Sequence, residues 1–175
     1  MRHPSKISTI YLLKLSIPIF FANLAVPLVG LVDTGLMGHL GSEKFLAAVS
    51  ISTAVISMIF WSFGFLRMGT VGLVAQALGR GDYREIVMTA TRNIMLGLFF
   101  ALILIGSKDV IIYFINNFFE TSEETKLLIK KYISVRILSA PAELIIYVLI
   151  GLHLGLQRTF TSSMLITFFS ITNII

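Results

Sequence analysis

The chain has no cysteine, one tryptophan, four prolines and only 13% charged residues among its 175 positions. Without cysteine there is no disulfide framework and no thiolate metal site. Histidine is almost as scarce, and His3, His39 and His153 are too scattered along the chain to suggest a metal cluster. No metal ligand set and no cofactor is therefore expected. The shortage of charge excludes an ordinary water-soluble domain, because 56% of the residues are hydrophobic and the mean hydropathy is +0.90. What the chain has instead is a series of long apolar runs, which describes an all-α polytopic membrane protein whose first partner is the lipid bilayer. The net charge of +5 comes from basic residues flanking those runs. There they orient the protein and meet anionic headgroups, so nucleic acid is not an expected partner.

The apolar runs predict about five transmembrane helices, at about 10–37, 45–78, 86–106, 132–156 and 160–175. Arg2 and Lys6 before the first run resemble the charged region of a signal peptide, but the run continues well past signal-peptide length and is expected to stay in the mature protein. The second run is longer than a bilayer needs and should protrude on one side. Between the third and fourth runs, 107–131 is rich in charge, and its apolar middle, 110–119, is too short to span and reads as an interfacial helix. The fifth run is still apolar at Ile175, so the sequence is expected to stop within a helix. If the N-terminus is cytoplasmic, Arg2, Lys6, Lys14, Arg80, Arg84, Arg92 and Arg158 fall inside, and Lys44, Lys108, Lys126, Lys130 and Lys131 outside, a bias that favours this orientation.

One carboxylate, Asp33, sits inside the first run. An ionised acid at such depth costs a few kcal/mol (about 2.5–3.5 on the insertion scale), which makes it a functional-site candidate with a partner to be found. Ser16, Asn23, Pro27, Gly30 and Thr34 recur at helical spacings and put a polar, small-residue stripe beside it. Pro18 and Pro27 each remove a backbone donor and should kink this helix, making it a candidate hinge that carries the titratable group. Burial and a nearby cation act in opposite directions on a carboxylate, so one acid can exchange a proton for Na⁺ or for a cationic molecule. Arg67 and Arg136 are intramembrane charges read as structural. Glu143 stands two helical turns beyond Arg136, and each is expected to pair with another helix or with the interface. Gly151 and Gly155 have the G-x-x-x-G spacing that lets helices approach, in a class of segment where glycine is common. Gly35, Gly38 and Gly41 lack the strand-then-helix context of a dinucleotide fingerprint and read as packing and turn positions. No residue pattern points to an enzyme.

Val-Asp33-Thr, Leu-Arg67-Met-Gly-Thr-Val-Gly-Leu-Val-Ala-Gln76-Ala-Leu-Gly-Arg-Gly81, Tyr132-x-x-x-Arg136 with Pro141, Gly-Leu-Gln157 and Thr-Asn173-Ile-Ile occur in an order that resembles the multidrug and toxic compound extrusion (MATE) family, in its DNA-damage-inducible protein F-like branch. The resemblance implies a lobe of six helices, here incomplete, in a twelve-helix protein of two lobes. The implied activity is export of organic, often cationic, compounds in exchange for protons or sodium ions. It implies further that Asp33 is a cation or proton site in the first helix, that Asn173 matches the fifth-helix asparagine of that site, and that Tyr132 matches a fourth-helix tyrosine near it. Asp33 and Asn173 would then hold Na⁺ where sodium is the coupling ion. Pro18 matches a first-helix proline. The implied location is a bacterial inner membrane, and the implied partners are a small organic substrate and a second lobe or second polypeptide. Two other readings are a lipid-linked precursor flippase of related fold, which would want basic residues facing the cavity, and a membrane fragment that does not transport.

Overall fold

The computed structural model describes 43–119 and 121–174 continuously and Leu13, Ser16, Ile17, Phe20 and Gly35 singly, with the side chains of 43 and 169–174 outside the description. Every regular element among these residues is helical: α1 Glu43–Ser62, α2 Gly64–Arg80, α3 Tyr83–Gly106, α4 Lys108–Phe118, α5 Glu123–Arg136, α6 Ala140–Gly155 and α7 Thr159–Ile174, with a 3-10 turn at Ile137–Ser139. The stretches Lys44–Arg80, Tyr83–Gly106 and Glu123–Gly155 are long and apolar enough to cross a membrane. The protein is thus all-α and of the membrane class expected. The first expected helix, 10–37, falls outside the described residues except at the five single positions.

The helix ends follow from local chemistry. Asp82 caps α3 by accepting from the Glu85 N–H at 3.0 Å, and Glu85 three residues on completes a capping-box spacing. This moves the start of α3 ahead of residue 86, where hydropathy alone places it. Ser122 caps α5 by accepting from the Thr125 N–H at 3.3 Å, and Glu123 and Glu124 in the first turn complement the positive helix end. The helix expected from 132 therefore begins at Glu123, so the charged residues just before Tyr132 lie within a helix and not in a loop. At the other ends, Gly81 adopts φ 73° and donates to the Leu78 carbonyl, while the Asp82 N–H reaches Ala77. Gln157 does the same after α6 at φ 59°, with Arg158 reaching back to His153. Both are Schellman closures.

The second expected run is two helices. A straight helix from Lys44 to Arg80 would be about 55 Å long against a hydrocarbon core of ~30 Å. It is interrupted at Phe63, whose N–H donates to the Phe60 carbonyl, next to Ser62, whose hydroxyl back-bonds to the Ile59 carbonyl at 2.6 Å, and Gly64. Serine back-bonding beside glycine is a recognised cause of such breaks. The second interruption precedes Pro141, which lies in the first turn of α6, where its missing N–H costs little.

The helix α6 is the hub of the described bundle. It packs against α2, α3 and α7, while α1 packs on α5 and α4 covers α5. Leu144 and Val148 on α6 are fully buried, as are Ile129 and Ile133 on α5. A methyl group built on Gly151 would lie 2.7 Å from the Arg67 carbonyl oxygen, and one on Gly155 would lie 2.7 Å from Val74 Cβ. The G-x-x-x-G spacing is therefore a genuine point of close approach between α6 and α2. Next to it, Asn93 on α3 donates to Thr70 Oγ1 on α2 at 2.8 Å, and Thr70 donates to its own Leu66 carbonyl. Small residues and one polar bridge thus join three helices without a charge. The outer faces are apolar instead, with Trp61 81% and Phe118 82% exposed, as expected of lipid-facing surface. The helix α4 takes up most of 110–119, with Ile112 and Ile115 buried and Tyr113, Phe114 and Phe118 facing outward.

Candidate functional site

Of the residues singled out in the sequence, Asp33, Pro18 and Pro27 lie outside the described residues. Asn173 lies in the last turn of α7, with its side chain outside the description. Tyr132, Arg67 and Arg136 are described, and they fall in three different settings.

Tyr132 is on α5 and reaches α1, where its hydroxyl shares a hydrogen bond of 3.1 Å with Thr53 Oγ1. Its ring packs against the apolar core while the hydroxyl stays near the surface of the described bundle. A tyrosine and a threonine hydroxyl can each donate and accept, so the pair can re-point toward a ligand or an ion without breaking the helix pairing. Thr53 carried no signal of its own in the sequence; one threonine in an apolar helix is too common to single out.

Arg136 is one turn further along α5, at its C-terminus. One guanidinium nitrogen, Nη2, donates to Glu143 Oε1 at 2.8 Å, the other donates to Ser139 Oγ, and the guanidinium carbon lies 5.6 Å from the centre of the Phe60 ring. The Glu143 side chain is 8% exposed and that of Arg136 29%. This corrects the expectation that the two charges pair with other helices or the interface: they pair with each other across the helix break. The Cα–Cβ bond of Glu143 tilts toward the helix N-terminus, which is toward Arg136, and arginine spans the rest. Pairing lets both charges lie within a membrane-spanning stretch, and the forked, stacked geometry is one that lysine would not reproduce.

Arg67 opens α2 and belongs to none of the ion pairs among the described residues. It lines a cleft of about 440 Å³ between α2, α6 and α7, with Met68, Val71, Ile150, Leu154 and Ile166 as its apolar walls. The structure therefore places Tyr132 and Arg136 one turn apart on α5 beside α1, and Arg67 at the α2–α6 contact.

A family model described as MatE matches residues 18–175. The chain belongs to the MatE family. It is 34% identical over 161 residues to DNA damage-inducible protein F of Escherichia coli (strain K12), an alignment covering 92% of this chain and 35% of that protein. It is 36% identical over 90 residues to a probable multidrug resistance protein NorM of Synechococcus, covering 51% of this chain and 19% of the relative. With multidrug and toxin extrusion protein 1 of Danio rerio it shares 32% identity over 92 residues, 52% of this chain and 15% of the relative. The chain thus spans about a third or less of the length of these curated relatives. No solved structure matches it significantly.

Proposed function

We propose that this chain forms part of the N-terminal lobe of a secondary antiporter that exports organic, often cationic, compounds in exchange for protons or sodium ions. The observation that carries the reading is the MatE match over 18–175, which takes in both Asp33 and Asn173. Asp33 is the coupling carboxylate, Asn173 supplies a neutral oxygen to the same ion, and Tyr132, hydrogen-bonded to Thr53, is a hydroxyl close to that site. By sequence, Pro18 and Pro27 lack the backbone donors that a straight helix around Asp33 would use, which makes this stretch the candidate hinge on which a change in its protonation or ion occupancy would act. The substrate-facing partner is a second lobe or polypeptide, as sites between structural repeats require. The membrane is a bacterial inner membrane with the N-terminus cytoplasmic, which puts Arg80, Arg84, Arg92 and Arg158 on the inner side.

The test is efflux from cells or vesicles by a transporter carrying this lobe. D33N should abolish export driven by a proton or sodium gradient while leaving membrane insertion at the wild-type level. Wild-type export by D33N would remove Asp33 from the mechanism. The flippase alternative asks for basic side chains facing the cavity, and of its two candidates, Arg67 and Arg136, the second is paired with Glu143.

A further inference from the structure

The described helices sort into two groups. One holds α1, α4 and α5; the other holds α2, α3, α6 and α7, and contact within each group far exceeds contact between them. The chain passes from one group to the other three times, at Phe63, at Ser107 and at Ile137–Ser139. Each passage is a helix interruption: a turn at Phe63, a turn at Ser107 whose hydroxyl back-bonds to the Ile103 carbonyl, and a 3-10 segment before Pro141. By contrast, two of the three links that stay inside one group, α2 to α3 and α6 to α7, are closed by Schellman hydrogen bonds.

The polar contacts respect the same division. Lys44–Glu124 and Thr53–Tyr132 join α1 to α5, Asn93–Thr70 joins α3 to α2, and the Ser162 hydroxyl reaches the Ile150 carbonyl from α7 to α6. Among the described residues, the side-chain link that crosses between groups is Arg136 to Glu143, from the end of α5 to α6, with Phe60 of α1 under the guanidinium. The remaining contact between the groups is apolar: one continuous core joins Phe60, Ile112 and Ile133 of the first group to Leu66, Ala101 and Leu144 of the second. Apolar contact is non-directional and tolerates small tilts that a charge-assisted hydrogen bond, held by a guanidinium stacked on a ring, does not.

We propose that the three interruptions together form a hinge plane within the lobe, and that the Arg136–Glu143 pair, seated on Phe60, is the latch that fixes the angle between the two helix groups. This rests on the geometry of the described helices and not on transport. It makes Arg136 and Glu143 positioning residues, since they set where the Tyr132 hydroxyl of one group stands relative to α6 of the other.

The absence of cysteine allows spin labels to be placed without background. Labels at the exposed positions Val87 on α3 and Leu127 on α5 report across the plane. Labels at Tyr83 and Leu102 lie on one helix, about 28 Å apart at 1.5 Å per residue, and serve as a rigid control. With the full chain in lipid nanodiscs, pulsed electron–electron distance measurements should give a narrow cross-plane distribution for the native pair. That distribution should broaden or split in R136Q and in E143Q, with the control unchanged, and should narrow again in the charge-exchanged R136E/E143R. An unaltered cross-plane distribution in R136Q and E143Q overturns the latch. Equal broadening of the control, or failure of both variants to fold, overturns it too, since the pair would then hold the whole fold rather than an angle.

Discussion

Gly151→Ala is expected to destabilise the bundle by about 1–3 kcal/mol, the usual cost of forcing extra volume into a packed interior, and Gly151→Leu by more. The added methyl meets the Arg67 carbonyl oxygen at 2.7 Å and Thr70 Cβ at 2.9 Å. Neither neighbour can swing away: one is helix backbone, and the other is a fully buried side chain already committed to Asn93 and to the Leu66 carbonyl. The helices must separate, which weakens the Asn93–Thr70 bridge as well. Gly97→Ala provides the contrast. Its methyl would sit 3.5 Å from Leu144 Cβ, an ordinary contact, and alanine gains up to about 1 kcal/mol of helix propensity over glycine. Unfolding in mixed micelles followed by circular dichroism should therefore rank G97A at or above wild type, G151A below it and G151L lowest. Equal stability of G97A and G151A would show that α2 and α6 do not approach as closely as described.

The second large effect concerns the ion pair. Removing one member of a buried pair costs about 3–5 kcal/mol because the survivor is left uncompensated. Here the Arg136 side chain is 29% exposed, so about 2–4 kcal/mol is expected for E143L or R136L alone. The double variant R136L/E143L should recover much of the loss, since two apolar side chains suit this site as well as a paired charge does. A double-mutant cycle on the same unfolding measurement should thus give a coupling energy well above about 0.5 kcal/mol, the limit for independent sites. Additive losses would mean that the two charges act separately. Loss of stability in the double variant equal to the sum of the singles would also leave the hinge latch without its physical basis.

How far the sequence could be read depends on which kind of signal each feature leaves. Hydropathy placed the apolar helices, since a bilayer demands about twenty apolar residues per crossing. It could not place the breaks inside them, because Ser62 and Gly64 look like any other small residues of a membrane helix until Ser62 is seen bonding to Ile59. Nor could it find the start of α5: the Ser122 cap and the acids after it are helix-start signals, but they occur in a stretch whose charge suggested a loop. Asp33 stands out in the sequence because a lone acid in an apolar run is costly, and it lies outside the described residues. The Arg136–Glu143 pair was not, since seven residues of straight helix rise about 10.5 Å. Only the reach of arginine toward a carboxylate tilted back along the helix makes the contact. Thr53 and Asn93 were invisible for a different reason, since their partners lie 79 and 23 residues away, and nothing local marks them.

The central claim is that Asp33 exchanges its ion for the exported compound. The most direct measurement is ion release when an organic cation such as tetraphenylphosphonium is added to a purified transporter carrying this lobe, in weakly buffered medium for protons and with labelled sodium for Na⁺. Wild-type protein should release protons or sodium as the cation binds, and D33N should bind without releasing either. Release from D33N equal to that of the wild type would contradict the account.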